Sequence, residues 1–262
     1  MNQRKEYLLD HAWQKERERL ATIERWVDPW TTQCLQDVGV GAGWRCLEIG
    51  AGGGSIAEWL SRRVGPGGHV VATDLETGFL QAIDAPNLEV RRHNIVTDDL
   101  EVQAFDLVHA RAVLEHLADR DAVLEKMIRA VRSGGYLVVE DGDYISFTPV
   151  AARDAEGFER ASRAFLGIFS AAGFDPYFGR QLGRQLRNRG LTDVHQVGHV
   201  AEWGGPLPQT KVWSLVFEKL REGVVAAGLL TTAEAEDFLT LIEAPDFRAM
   251  TPILFAAWGR KP

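Results

Sequence analysis

The stretch Leu47-Glu48-Ile49-Gly50-Ala51-Gly52-Gly53-Gly54-Ser55-Ile56-Ala57 decides the fold. A short apolar run, Arg45 to Ile49, stops at a glycine cluster, and a helical pattern runs from Ser55 to Val64. Glycines at the end of a buried strand let a ligand approach the backbone, and the start of the next helix offers N–H groups with no partner in the helix. The turn Gly65-Pro66-Gly67-Gly68 then leads into a second strand, His69 to Asp74. Asp74 closes that strand 20 residues after Gly54, where a carboxylate reaches the hydroxyls of an adenosine ribose. Neither element is specific alone. On consecutive strands they point to a cofactor that contains adenosine.

The same alternation continues outward. Leu88 to Arg92, Phe105 to Ala110 and Tyr136 to Glu140 read as further strands, with a helix at Asp121 to Val131 closed by Ser133-Gly134-Gly135. Strands alternating with helices mean parallel crossovers covered on both faces. After Thr148 the pattern gives helices at Ala151 to Ala172, Gly179 to Arg189, Val212 to Ala227 and Ala233 to Ile242, and strands at Val194 to Trp203 and Pro252 to Trp258. Ahead of the glycines, Gln3 to Val38 is helical, with Leu8, Leu9, Ala12, Trp13, Leu20, Ile23, Trp26 and Val27 on one face and Lys15 to Arg19 toward water. Pro29 is expected to divide it into two helices.

The fold class expected is α/β: a Rossmann-like, seven-stranded, mostly parallel sheet with helices on both faces, an N-terminal helical lid and helical cap insertions. It is read as one domain over 1–262, with the lid at 1–40, the cofactor-binding core at 41–148, and the cap helices and last two strands at 149–262.

Composition narrows the function. Of 262 residues, 45% are hydrophobic and 25% charged, with a formal net charge of −8, which argues against a basic nucleic-acid-binding face. Arg180, Arg184, Arg187 and Arg189 fall on one helix and read as a solvated face. No apolar run approaches the roughly 20 residues of a membrane span, and no signal peptide is evident, so a cytoplasmic protein is expected. Cys34 and Cys46 read as buried apolar residues and not as a disulfide framework.

Two cofactors compete for the turn. Gly52-x-Gly54-x-x-Ala57 satisfies the dinucleotide fingerprint of a nicotinamide enzyme. Glu48-x-Gly50-x-Gly52-x-Gly54 instead resembles motif I of the class I S-adenosylmethionine-dependent methyltransferases. An acid at that place attracts an amine or a sulfonium and repels a diphosphate, which favours the second reading.

The resemblance extends over residues 45 to 140. Val71-Ala72-Thr73-Asp74-Leu75 looks like the second motif, and His93-Asn94-Ile95 stands where the family reads the adenine edge, with Asn94 in place of the commoner aspartate. Phe105 to Arg111 and Leu114-Glu115-His116-Leu117 resemble the family's fourth strand and the helix after it. Arg129 to Leu137 is similar to the family's L-x-P-G-G-x-L stretch, with Ser133 for the proline. The run from Trp44 to Glu48 and a last strand ending near Ala256-Ala257-Trp258-Gly259-Arg260 look like the bacterial small-molecule branch, many of whose members serve secondary metabolism.

The resemblance implies S-adenosylmethionine as cofactor, held by Glu48, Gly50, Ala51, Gly52, Asp74, Leu75, Asn94, Ile95 and Ala110. Arg111 either caps the methionine carboxylate or sits on the surface. His116, at the ligand rim, is the candidate general base, the bland alternative being a histidine bonded within its own helix or to a loop; Asp141 is the second candidate. Glu115 is expected to face solvent. Glu140-Asp141-Gly142-Asp143 leaves the fifth strand on the same rim, but a full oxygen ligand set is not assembled and no metal is expected. His195 and His199 share a strand face yet stand too far apart for zinc.

The aromatics Trp13, Trp26, Trp30, Phe147, Phe165, Phe169, Phe174, Tyr177, Phe178, Trp203, Trp213 and Phe217 are divided between pocket and core. The expected activity is methyl transfer by in-line displacement to a small, largely apolar or aromatic metabolite in natural-product biosynthesis. The expected partner is that acceptor, with no nucleic acid, no membrane and a homodimer left open. The rivals are a protein that binds S-adenosylmethionine without transferring methyl, such as a cyclase or regulatory module, and an NAD(P)-dependent oxidoreductase.

Overall fold

The computed structural model describes residues 15–151 and 154–262, so Leu8, Leu9, Ala12 and Trp13 of the front helix lie outside the described residues. The strands are β1 (Arg45–Ile49), β2 (His69–Asp74), β3 (Leu88–Arg92), β4 (Phe105–Arg111), β5 (Val131–Asp143), β6 (Thr192–His199), β7 (Glu202–Trp203), β8 (Ala249–Met250) and β9 (Ile253–Arg260). The helices are α1 (Glu16–Val38), α2 (Ser55–Val64), α3 (Arg120–Ala130), α4 (Ala155–Ala171), α5 (Leu182–Asn188), α6 (Thr210–Ala226) and α7 (Thr232–Glu243).

Seven strands form one sheet in the order β3-β2-β1-β4-β5-β9-β6. The pairs among β1 to β5 are parallel, while β9 runs antiparallel to both β5 and β6. The dinucleotide-binding Rossmann order, 3-2-1-4-5-6, has no such inserted strand.

Strand alternation sorts the core into two layers. Cys46, Val70, Leu107 and Val138 point to the face covered by Leu35 and Val38 of α1 and Ile56, Leu60 and Val64 of α2. Leu47, Ile49, Val108, Leu137 and Val139 point to the face covered by α3 and α5. A third cluster belongs to the cap: Phe158 and Phe165 of α4, Trp213 and Phe217 of α6, and Phe238 of α7 close around Trp203 and Phe247. No helix among the described residues is long and apolar enough to cross a membrane.

Three local expectations are corrected. Pro29 does not break the front helix, which runs unbroken through it. Arg25, whose carbonyl loses its partner at Pro29, and Pro29 itself are both exposed, so water can satisfy that oxygen while Leu35 and Val38 anchor the helix beyond. Ser133-Gly134-Gly135 lies inside β5 and not in a loop behind α3; Gly134 takes φ +78° and the pairing with β4 shifts register between Phe105 and Leu107. Glu16 and Arg19, expected toward water, are 0% and 6% exposed and hold one another in a bidentate ion pair at 2.7 and 2.8 Å.

Candidate functional site

The carboxyl ends of β1, β2 and β4 open into a cavity of about 530 Å³, within the size range of small-molecule sites. Its first wall is backbone. Gly50 sits at φ +68°, and a Cβ there would meet Val113 Cγ2 at 2.5 Å. A Cβ on Gly53 would collide with the Glu24 carboxylate and the Arg17 guanidinium, so α1 lies directly over the turn. Asp74 ends β2 on the cavity wall, its Oδ2 accepting the Gly52 N–H at 2.8 Å and its Oδ1 the Glu76 N–H at 3.1 Å.

Leu75, next to it, is 46% exposed, an apolar side chain at the cavity with half its surface still uncovered. Asn94 and Ile95 complete this end; the Asn94 Oδ1 accepts the Val96 N–H at 3.0 Å, which turns the chain after β3. Among the expected cofactor residues, Gly50, Ala51, Gly52, Asp74, Leu75, Asn94, Ile95 and Arg111 line one cavity. A carboxylate, a glycine cradle that a Cβ would fill and an exposed apolar platform suit an adenosine-bearing cofactor.

Glu48 and Ala110 do not line the cavity. Ala110 is buried in the core layer against α3 and α5. Glu48 continues the alternation of Cys46 onto the α1 side of the sheet, where its Oε2 lies 2.6 Å from His109 Nδ1. His109 Nε2 reaches Glu140 Oε1 at 3.1 Å, and Glu140 Oε2 accepts from Thr31 Oγ1 of α1 at 3.0 Å. Arg111 joins the same chain, donating to Thr31 Oγ1 at 2.8 Å and Asp28 Oδ1 at 2.9 Å, so in this structure it clasps α1 from the cavity wall.

Burial alone would strip the proton from His109, but the flanking carboxylates of Glu48 and Glu140 outweigh it and hold the imidazole up at about 9. His109 therefore carries a positive charge between two acids. Sequence reasoning missed this network. Its signal was a titratable residue beside the apolar stretch of each of three neighbouring strands, Glu48, His109 and Glu140, all on the same face.

The far wall of the cavity is built from side chains. Phe165 and Phe169 of α4 and Trp213 and Phe217 of α6 line it, with Tyr144 and Phe147 after β5 and Phe174 after α4, and Trp26 of α1 also reaches the cavity. Phe178 and Trp203 are core instead, Trp30 stacks on His199, and Tyr177 is 47% exposed. His195 stacks on Trp258. Arg180 pairs with Asp143, and Arg189 reaches Asp121 and Glu125.

His116 stands between the two walls, its ring 5.0 Å from Phe174 and 6.1 Å from Phe169. Burial, with Arg19 and Arg120 nearby, pushes its proton affinity down to about 3, so the ring is neutral at pH 7. Asp141 is 1% exposed and is not on the cavity wall; its Oδ1 accepts the Glu115 N–H at 3.2 Å. Glu115, expected toward solvent, is 5% exposed and does line the cavity, because the tight turn Leu114–His116 tucks it under Gly142, whose N–H it accepts at 2.6 Å. Burial raises both carboxyls, helped by Asp175 at Glu115 and by Glu115 at Asp141, so that Glu115 is pushed up to about 7 and Asp141 well above its ordinary range.

Comparison with known proteins agrees with this geometry. Residues 47–137 match a family model described as a methyltransferase domain. The chain is 29% identical over 195 residues to methyltransferase str2 of Strobilurus tenacellus, covering 74% of this chain and 70% of that one. It is 27% identical over 166 residues to the ubiquinone/menaquinone biosynthesis C-methyltransferase UbiE of Hahella chejuensis, covering 60% and 66%. Among solved structures, phosphoethanolamine N-methyltransferase 2 of Haemonchus contortus, in complex with phosphomonomethylethanolamine and S-adenosylhomocysteine, superposes with a TM-score of 0.53 at 18% identity. That likeness covers 94% of this chain and 52% of the nematode protein, so the chain spans about half its length.

Proposed function

We propose that the chain is a class I S-adenosylmethionine-dependent methyltransferase and that it methylates a small, largely apolar or aromatic metabolite, as a step in making a natural product. The observation that carries this reading is that one cavity has two unlike walls: a backbone cradle with Asp74 at one end and a shell of aromatic rings at the other. The likeness to a quinone-pathway C-methyltransferase supports an aromatic ring as the acceptor's frame. The antiparallel β9 between β5 and β6 speaks against the nicotinamide reading, whose sheet order has no such strand.

The cofactor, S-adenosylmethionine, supplies when bound a methyl group already activated on a sulfonium. The protein's part is then placement. Asp74 offers a carboxylate to ribose hydroxyls, Leu75 and Ile95 an apolar slot for adenine, and the Asn94 amide a partner for its edge. Holding two reactants in line is worth about 7–11 kcal/mol of barrier. The aromatic wall fixes the acceptor, and α1, packed over the glycine turn, keeps water out.

His116, on the seam of the two walls, is the group placed to take a proton from an acceptor that must lose one. Incubating the protein with S-adenosylmethionine and a panel of phenols, quinols and apolar amines tests the reading. Products one CH₂ heavier, with S-adenosylhomocysteine released, are expected. Tight binding of S-adenosylhomocysteine with no such product from any class of acceptor would favour a binding protein.

A further inference from the structure

Glu115 is a buried acid on the wall of the cavity, and all but one of its polar atoms are held. Its N–H donates to Asp141 Oδ1 at 3.2 Å, and its carbonyl accepts from the Asp175 N–H at 2.8 Å and from Arg120 Nη2 at 3.5 Å. Oε2 accepts the Gly142 N–H at 2.6 Å. The tight turn Leu114–His116 lays the carboxyl against Gly142, where a Cβ would meet Oε2 at 2.9 Å. Oε1 makes no hydrogen bond among the described residues, since His116 Nε2, 3.4 Å away, is at ion-pair distance only. A carboxylate clamped at four points thus keeps one oxygen unpaired on the wall of a cavity rich in aromatic rings. Tyr144 lies beside Gly142, and Phe169 and Phe174 line the same space.

We propose that Glu115 selects the acceptor: Oε1 accepts a hydrogen bond from a hydroxyl on the acceptor's aromatic ring, so that a phenol is taken and the corresponding ether is refused. The proposal rests on the methyltransferase reading above. The bond forms on binding and needs no proton transfer. A ring with no donor would cover Oε1 and leave it unpaired, whereas a hydroxyl replaces the partner it had in water. An ammonium group fits less well, because Arg120 already places a cation at this corner and Arg19 places another by His116.

The charged and titratable groups around Glu115 are His116 on its own turn, Asp141 of β5, Tyr144 after β5, Asp175 after α4, Arg120 of α3, and Arg19 with Glu16 on α1. Burial, with Asp175 adding to it, raises the carboxyl to about 7, so Oε1 accepts most strongly above that pH. His116, pushed down to about 3, stays neutral there.

The test titrates 2-naphthol, 2-methoxynaphthalene and 2-(aminomethyl)naphthalene by calorimetry into protein saturated with S-adenosylhomocysteine, from pH 6 to 8. The wild type is expected to bind the naphthol about 10–100-fold more tightly than the ether at pH 8, with the ratio falling as the pH drops through 7. Glu115→Gln still accepts the Gly142 N–H but turns a donor toward the cavity, so the ratio should fall to about one at every pH. Asp175→Asn should keep the preference and move its midpoint to lower pH, because one charge that opposes ionisation is gone. Should Glu115→Gln fail to fold, the wild-type ratio and its pH dependence still decide. The proposal is overturned by an ether bound as tightly as the naphthol, a ratio that does not move with pH, a ratio unchanged in Glu115→Gln, or a preference for the amine. Failure of the naphthol to bind protein that holds S-adenosylhomocysteine overturns it as well. Absence of S-adenosylhomocysteine binding is the separate result that sinks the methyltransferase reading, and this inference with it.

Discussion

The two ends of the cavity are made differently. At the cofactor end the wall is backbone: the glycine turn after β1, the ends of β2 and β4, and single side chains such as Asp74 placed by strand register. At the end we propose for the acceptor the wall is aromatic side chains, from α4 and α6 and from the segments after β5 and α4, held by a cap core around Phe158 and Trp203. A backbone site is fixed by local sequence and serves one ligand. A side-chain site depends on packing between distant segments and is free to fit a particular acceptor. The network Glu48–His109–Glu140–Thr31, with Arg111 and Asp28, ties the first end to the helix that covers it.

The largest effect that separates the ends is expected in the cap. Phe158 is 0% exposed and packs on Phe147, Trp203, Phe238 and Phe247, so Phe158→Ala should cost about 3–5 kcal/mol of stability. Denaturant unfolding measures that loss, while the affinity of the folded fraction for S-adenosylhomocysteine should stay within about twofold. A large fall in that affinity would mean the two ends are not separable.

The buried network comes next. The folded His109 titrates at about 9, above its ordinary 6.5, so the stability it contributes is fully present below pH 6.5 and is lost as pH rises through 9. The amount is about 3 kcal/mol. Glu48→Gln removes one of the acids that hold the proton and should move this loss to lower pH. The check is the difference between the unfolding free energies of wild type and variant, measured from pH 6 to 10. A difference that stays flat would show that His109 is neutral in the folded protein.

At the cofactor end, Asp74→Ala should weaken S-adenosylhomocysteine binding by about 30–100-fold, the loss of charge-assisted bonds worth about 2–3 kcal/mol. Stability should change little, since Asp74 is only partly buried. The smallest effect is expected for Leu75→Ser. Its side chain has half its area left to cover, and the binding loss should be about three- to fivefold by calorimetry.

The same contrast explains what was legible from sequence. β1, β2, β3 and α2 fall at their expected bounds, because near-continuous apolar runs punctuated by glycine and proline leave little else for those residues to form. The cofactor wall was legible because its motifs are contiguous. Strand order was not: that β9 enters between β5 and β6 is a long-range pairing with no local signature. Glu115, Glu16 and Arg19 were read toward water from their charge, yet tertiary packing buries each beside a partner. Pro29 was read as a break because its lost bond is visible in sequence, whereas the exposure that makes the loss cheap is not.

The most direct test of the account is a calorimetric titration of the purified protein with S-adenosylhomocysteine, with NADH titrated in parallel. One site for S-adenosylhomocysteine with a Kd on the order of micromolar is expected, and no heat from NADH. Binding of NADH with none of S-adenosylhomocysteine would contradict it, and would make Gly52-x-Gly54-x-x-Ala57 the fingerprint that matters.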